Sequence, residues 1–309
     1  QAMFKQSSSS DSPLYLSSWD ISKAFDSPSK NVLRFAWSRL GVPKRIANFL
    51  VSLDEGGHTI VRTPYSQSKW DKKKYAGFPD STKKKRALFL NAIRGTGQGD
   101  VGSPLNWDAL FDILLCALST VKEHRFYTHG SDERLYPVPD MAYADDLLSG
   151  MSSLEGIQEK ASIVSAFAII FGLDIAKTKL RSFIHNYHAI KSPPSSFLIY
   201  TSGWVAHSVP IATTGSLKSL GMVYDISSTQ LHKTQFEITK LRAERSCNII
   251  KRARGSRAQL ATVVSTCIAK RAEYPGKFAS WNVSQSDELD KVFTQTYKKL
   301  TLNHSSFPD

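Results

Sequence analysis

Three acidic residues constrain this chain more than any other feature: Asp20, and the adjacent pair Asp145 and Asp146 within Tyr143-Ala144-Asp145-Asp146. Asp20 closes the apolar run Leu14-Tyr15-Leu16-Ser17-Ser18-Trp19, which reads as a strand. Asp145 and Asp146 interrupt two further runs, Val138 to Tyr143 and Leu147 to Met151, as the tip of a hairpin does. Adjacent aspartates are common in surface turns, because turns favour Asp. Carboxylates bunched at the edges of neighbouring strands are a different matter, since they repel one another unless a divalent cation lies between them. Hard oxygen ligands of this kind suit Mg²⁺, which completes its shell with water and substrate phosphates. Two such ions can clamp the attacking and leaving oxygens of a phosphoryl transfer.

The charge balance points the same way. Forty Lys and Arg stand against 27 Asp and Glu, a formal charge of +13 with pI near 9.6. A balance this basic implies a polyanionic partner. Nucleic acid fits better than a membrane surface, because no predicted helix combines a basic face with a strongly apolar one. No segment approaches the roughly 18 uninterrupted apolar residues of a membrane span, and the longest candidate, Leu110 to Leu118, is broken by Asp112. Cys116, Cys247 and Cys267 are too widely spaced for a disulfide framework or a zinc motif. A reducing, intracellular location, nuclear or cytoplasmic, is therefore expected. There is no leader of the secretory kind, and a chain that begins at Gln1 without Met is expected to be an excised fragment.

Along the chain, residues 1–13 read as a polar, flexible lead-in. Leu33, Ala36, Trp37 and Leu40 predict a first helix, and Ile46, Phe49, Leu50 and Leu53 the core face of a second, with Gly41 and Pro43 between them. His58 to Arg62 and Ala87 to Ile93 read as strands. The insertion at residues 66–86 carries eight basic residues against two acidic ones. A helix is predicted from Pro104 to Val121, with Leu105, Leu110, Ile113 and Leu114 as core, and another from Glu155 to Phe171, capped by Gly172. Strands follow at Leu180 to Ile184 and Phe197 to Ala206, and helices dominate from about Thr234. Lys240 to Arg257 holds seven basic residues and one acid, interleaved with Leu241, Ile249 and Ile250, and reads as a helix with one core face and one phosphate-facing face. Strands with the acids followed by basic helices predict an α+β catalytic unit and a separate helical lobe.

Taken together, five segments resemble the palm and thumb of a reverse transcriptase, closest in wording to the non-LTR retrotransposon group. Trp19-Asp20-Ile21-Ser22-Lys23-Ala24-Phe25-Asp26 resembles that family's first catalytic motif. Gly95 to Pro104, containing Gln98-Gly99-Asp100, resembles the Gln-Gly-Asp-Pro-Leu-Ser-Pro signature before a palm helix, with Val101 and Gly102 replacing Pro and Leu. Tyr143-Ala144-Asp145-Asp146 matches the third catalytic motif letter for letter. Gly172 to Lys179 resembles a Gly-Leu-x-x-Asn-x-x-Lys segment in which Ala176 stands for Asn. Leu217-Lys218-Ser219-Leu220-Gly221 resembles a primer-gripping hairpin in which Ser219 replaces an aromatic.

The resemblance implies an antiparallel palm sheet backed by helices over residues 14–225, a motif hairpin near 217–224, and a helical thumb over 230–309. The family's fingers precede the Asp20 motif, and are expected to have been cut away here. The implied activity is RNA-directed DNA polymerisation: addition of dNTPs to a primer 3′-OH on an RNA template, with two Mg²⁺ ions. Asp20 and Asp145 would be metal ligands, the Ile21 carbonyl would lie near the metals, and Asp146 would be a weaker or outer ligand. Phe25 would fill the space that a ribose 2′-OH needs. Gln98 and Gly99 would contact the incoming nucleotide, Tyr143 would pack beneath the primer end, and Lys179, or alternatively Lys177, would serve the leaving pyrophosphate. Three alternatives stay open: an RNA-dependent RNA polymerase, a group II intron maturase, and a non-catalytic RNA-binding descendant of the same fold.

Overall fold

The computed structural model describes residues 2–53, 62–63, 66–67, 94–96, 102–219, 221–226, 231–279 and 281–301. In chain order the elements begin with α1 (Ala2–Ser9), β1 (Leu14–Ser22), α2 (Lys30–Arg39), α3 (Lys44–Ser52), the two-residue strands β2 (Arg62–Thr63) and β3 (Ser66–Gln67), and α4 (Ser103–Leu118). Next come β4 (Tyr127–His129), β5 (Leu135–Pro137), β6 (Met141–Tyr143), β7 (Asp146–Met151), α5 (Leu154–Phe171), β8 (Asp174–Ile175) and β9 (Arg181–His185). The rest is β10 (Ser196–Thr201), β11 (Val205–Ala212), β12 (Ser216–Ser219), β13 (Met222–Asp225), α6 (Lys233–Ile250), α7 (Arg257–Val263), α8 (Ala269–Phe278) and α9 (Val283–Thr301).

β1 is the spine. Tyr15, Trp19 and Ile21 bury on one face of it and Leu14 and Leu16 on the other, so the run is apolar on both sides, as befits a strand covered on two faces. It pairs antiparallel with β7 on one side and with β9 on the other, and its end is met by β8. The sheet order is β10-β11-β9-β1-β7-β6. All pairings in it are antiparallel except the short contact of β11 with β9. α4 and α5 roof one face through Trp107, Leu110, Leu114, Ile157, Val164 and Phe167. Trp37 Nε1 donates to Asn106 Oδ1 at 2.8 Å, tying α2 to α4. This is the expected α+β architecture.

The helical unit closes around Phe236, Ala243, Ala272 and Leu289, with Cys247, Val264 and Ile268 as a second cluster. It is fastened to the β12–β13 hairpin by polar contacts. Gln235 Oε1 accepts from Val223 N at 2.9 Å, and Asp225 accepts from Thr234 N at 2.8 Å and from its hydroxyl at 2.6 Å.

Several expectations need correction. The lead-in is not simply flexible: residues 2–9 form α1, because Met3 and Phe4 find a buried cluster with Leu14, Leu16 and Phe183. α3 turns the small Ala47 and Val51 inward, which leaves Ile46, Phe49 and Leu53 exposed rather than in the core; Leu40 and Leu105 are exposed too. The strand expected at 197–206 is two strands, because Gly203 and Trp204 adopt left-handed backbone angles (φ 76° and 59°) and reverse the chain. α6 ends at Ile250, so Lys251 to Ser256 form a connection and not a helix. Its inward stripe is Phe236, Thr239, Ala243 and Cys247, which puts Leu241 and Ile249 on the outside. The strand expected at Ala87 to Ile93 and nearly all of the basic insertion lie outside the described residues.

Candidate active site

β1 and β7 set the site by register. Asp20, two residues before the end of β1, and Asp146, at the start of β7, are direct cross-strand partners. Tyr143 pairs with Asp146, so Ala144 and Asp145 form a two-residue turn between β6 and β7. Tight hairpins favour positive φ in the turn, and Ala144 takes it with φ 52°, an uncommon conformation for a residue with a side chain. Trp107 holds that turn in place. Its Nε1 donates to the Ala144 carbonyl at 2.8 Å, and its side chain, 1% exposed, lies 5.8 Å from the Phe25 ring, centroid to centroid. One indole thus contacts both acid-bearing segments. No motif pointed to it; the available signal was that a buried indole N–H needs an acceptor.

Lys179 reaches the same point from a third segment. Ala176 N donates to the Asp20 carbonyl at 2.9 Å, and Lys179 N to the Ala176 carbonyl at 2.9 Å, a turn that delivers the ammonium to Asp20 Oδ2 at 2.8 Å. Lys177 points elsewhere, with Nζ 3.5 Å from His207 Nε2. Of the two candidate lysines, Lys179 is the one at the carboxylates. Its ammonium is held above the ordinary lysine value by the hydrogen bond to Asp20 and by the charge of Asp20, with Asp145 and Asp146 adding to it. The Asp146 carboxyl is pushed above the ordinary aspartate value by burial first, then by the charges of Asp145 and Asp20, while Lys179 pulls it back. The three carboxylates and the lysine therefore share one electrostatic neighbourhood.

The other expected site residues fall as follows. Ile21 is buried in the core beneath Asp20 and pairs with Ile175 of β8. Phe25 is half-buried against the core cluster. The segment before Gln98 docks on Phe25: Thr96 N donates to the Phe25 carbonyl at 2.6 Å, and Gly95 N to the Pro28 carbonyl at 2.7 Å. Gly95 has φ 77°, and a Cβ there would stand 2.5 Å from Asp26 Cα and from the Phe25 carbonyl, so only glycine fits that approach. Gln98 and Gly99 themselves lie outside the described residues. Tyr143 is 69% exposed and, with Asp146, Ser18, Leu217, Ser219 and Tyr224, lines a recess between the acidic hairpin and β12–β13.

A second support lies behind the hairpin. Lys160 Nζ donates to Asp140 Oδ1 at 2.6 Å, with side chains only 4% and 9% exposed. Asp140 immediately precedes β6, so this buried pair ties the strand entering the acidic turn to α5.

As to cations, Asp20 Oδ1 is buried and accepts no hydrogen bond. Among the described residues no group of three or more His, Cys, Asp or Glu stands ready to hold a metal. Mg²⁺ in phosphoryl-transfer sites takes one or two carboxylates plus substrate phosphates rather than an all-protein cage. The oxygen set of Asp20, Asp145 and Asp146 fits that pattern.

Carboxylates on adjacent strands of an antiparallel sheet thus stand together, with a lysine against one of them. The chain resembles the reverse transcriptases of non-LTR retrotransposons, and its curated relatives are Pol polyproteins of retrotransposable elements. It is 32% identical over 132 residues to a retrovirus-related Pol polyprotein from type-1 retrotransposable element R2 of Popillia japonica, covering 42% of this chain and 15% of that protein. It is 24% identical over 178 residues to the R2 Pol polyprotein of Nasonia vitripennis, covering 58% of this chain and 15% of that one. The chain thus spans about 15% of the length of these curated relatives. No protein-family model matches it. Solved structures overlap loosely: apo telomerase from Candida Tropicalis truncated from its C-terminal domain, 12% identical over 72% of this chain and 36% of that one, with TM-score 0.43, and telomerase from the same organism with a TWJ fragment of telomeric RNA, 12% identical over 94% and 43%, with TM-score 0.41.

Proposed function

We propose that this chain is the catalytic portion of an RNA-directed DNA polymerase that adds dNTPs to the 3′-OH of a primer paired with an RNA template. The observation that carries the reading is the convergence of three separate segments, with Asp20 opposite Asp146, the Asp145 turn beside them, and Lys179 on Asp20. Asp20 and Asp145 would hold two Mg²⁺ ions, with Asp146 at the margin, and the ions when bound supply charge stabilisation to the attacking and leaving oxygens.

The remaining roles belong to the protein. Lys179 keeps its proton through neutral pH because Asp20 stabilises the ammonium, which suits it to neutralise the charge that develops on a departing pyrophosphate. Phe25 blocks the space beside the sugar 2′ position, and Trp107 behind it keeps the ring and the acidic turn in one arrangement. Tyr143 and the β12–β13 hairpin, facing one another across a shared recess, support the primer end. Positioning and electrostatics are the main demands of phosphoryl transfer, and those are what these residues supply.

The test is primer extension on an RNA template with dNTPs, compared with rNTPs, by this chain. Asp145→Asn should leave template–primer binding near normal and abolish extension. Near-normal extension by Asp145→Asn at matched Mg²⁺ would refute the assignment. Preferential use of rNTPs would favour an RNA polymerase instead.

A further inference from the structure

A second recess opens on the opposite side of β1 from the acidic hairpin. β11 touches β9 only through Ile211 and Ala212, so Val205 to Pro210 overhang the start of β9. The turn before β9 runs beside that overhang, and between them lies a recess of about 460 Å³. Its floor is apolar, formed by Leu180, Ile199 and Val209, and its rim is polar, formed by the cations Lys177 and Arg181 and the imidazole of His207. Arg181 is oriented in advance, since Nη1 donates to the carbonyls of Thr178 at 2.7 Å and Leu180 at 2.8 Å. His207 is oriented too, with Nε2 2.9 Å from Thr201 Oγ1 and 3.5 Å from Lys177 Nζ. Among the described residues none of the three faces a carboxylate in an ion pair. At the bend of the same hairpin stands Trp204, 61% exposed, its ring 6.3 Å from that of Tyr200.

Cations along a groove with an apolar floor, and an exposed indole at the bend of the hairpin that borders it, match the chemistry of unpaired nucleic acid. Phosphates need the charges, and bases need the aromatic face. A peptide added as an extra strand along β11 is the rival occupant. Pro210 removes one N–H from that edge, and an added strand has no use for the exposed indole or the cations on the rim. The recess shares no residue with the carboxylate site, although Arg181 faces Ser18, two residues before Asp20.

We propose that this recess binds single-stranded nucleic acid, with phosphates on Lys177 and Arg181 and a base stacked on Trp204. The proposal does not depend on the polymerase reading, because binding here requires no catalysis.

The experiment is fluorescence anisotropy of labelled single-stranded RNA and DNA oligonucleotides, and of a blunt duplex, with the 309-residue chain. Lys177→Gln combined with Arg181→Gln should flatten the salt dependence of single-strand binding by about 1.4, roughly 0.7 for each lost phosphate contact. Trp204→Ala should weaken single-strand binding by about tenfold, as loss of one stacked base would. Both should leave duplex binding within about twofold. Single-strand binding should be the same with and without a chelator, which separates this site from the catalytic reading. Unchanged single-strand binding in the Lys177/Arg181 variant, or an equal loss for duplex and single strand, would overturn the proposal. Trp204→Ala should leave the melting temperature unchanged, and the Lys177/Arg181 variant, which loses the bonds of Arg181 to the Thr178 and Leu180 carbonyls, should melt slightly lower. Should either variant misfold, photo-cross-linking of thiouridine-containing RNA to the unsubstituted chain decides: adducts within residues 177–207 support the site, and their absence there overturns it.

Discussion

Asp146 sits among two other carboxylates, with Lys179 alone offsetting them among the described residues, and that crowding has a measurable sign. Its folded-state pKa is raised above the ordinary aspartate value of 3.8. The folded chain therefore holds this proton more tightly than the unfolded one, and stability falls as pH rises from the ordinary value through the raised one. In chelator, Asp146→Asn should remove that part of the decline and melt higher than the unsubstituted chain at about pH 7, with the difference shrinking toward about pH 3.5. Calorimetry across that range checks it; parallel curves for the two proteins would mean that the carboxylates do not strain the fold. Trp107 acts on the same turn from behind. Trp107→Phe keeps the ring contact with Phe25 but leaves the half-buried Ala144 carbonyl without its donor, a loss of about 1 kcal/mol. Primer extension measured well below the lowered melting temperature should fall in kcat with little change in KM for dNTP. A variant that loses stability alone would reduce Trp107 to a packing residue. Phe25→Val should raise rNTP use relative to dNTP by roughly tenfold, the scale of one removed steric contact in a pocket. An unchanged ratio in single-nucleotide incorporation would make Phe25 a core aromatic only.

The element that carries the acids is held by α5, and the buried Lys160–Asp140 pair is its fastening. Breaking one side strands a charge: Lys160→Met should cost about 3–5 kcal/mol, whereas Lys160→Met with Asp140→Leu should recover most of it. Denaturant melts of the two single variants and the double one measure the coupling, and additive losses would show that the pair does not act as a unit. Lys160 also illustrates what sequence can and cannot reveal. It occupies a slot in the inward stripe Ile157, Ala161, Val164 and Ala168, so a buried partner was inferable in principle. The identity of that partner was not, since Asp140 lies 20 residues away and Trp107 lies 37 residues from Ala144. Local patterns, by contrast, were legible: the hairpin around Asp145, the span and Gly172 cap of α5, and the strand bearing Asp20 all came from short-range periodicity and turn chemistry. Periodicity failed where a helix offered two stripes. α3 could face the core with Ile46, Phe49 and Leu53 or with Ala47 and Val51, and close packing on α2 selected the smaller pair. It failed again on α1, whose serines masked two anchoring apolar residues, Met3 and Phe4.

For the whole molecule the excess of positive charge is the dominant long-range property, and its placement decides what it can do. Lys240 is already paired with Glu288 at 2.7 Å, which removes it from the free cations of α6. Arg242 and Arg271 line a groove of about 470 Å³ between α6 and α8, together with Tyr274 and Gly221 of the β12–β13 turn. The connection after α6 exposes Lys251, Arg252 and Arg254. A duplex leaving the carboxylates past that hairpin would meet these groups through its phosphates, with no dependence on base sequence. Each neutralised phosphate of a duplex releases counterions and steepens the salt dependence by about 0.9. Replacing Lys251, Arg252 and Arg254 with Gln should therefore flatten the slope for a template–primer duplex by up to about 2.7, and weaken binding equally for unrelated sequences. These residues lie in a connection and bury no apolar surface, so the melting temperature should hold and extension at saturating duplex should proceed at its normal rate. Binding measured at several salt concentrations checks this directly. An unaltered slope would remove the helical unit from the duplex path and shift attention to the basic residues between 66 and 86.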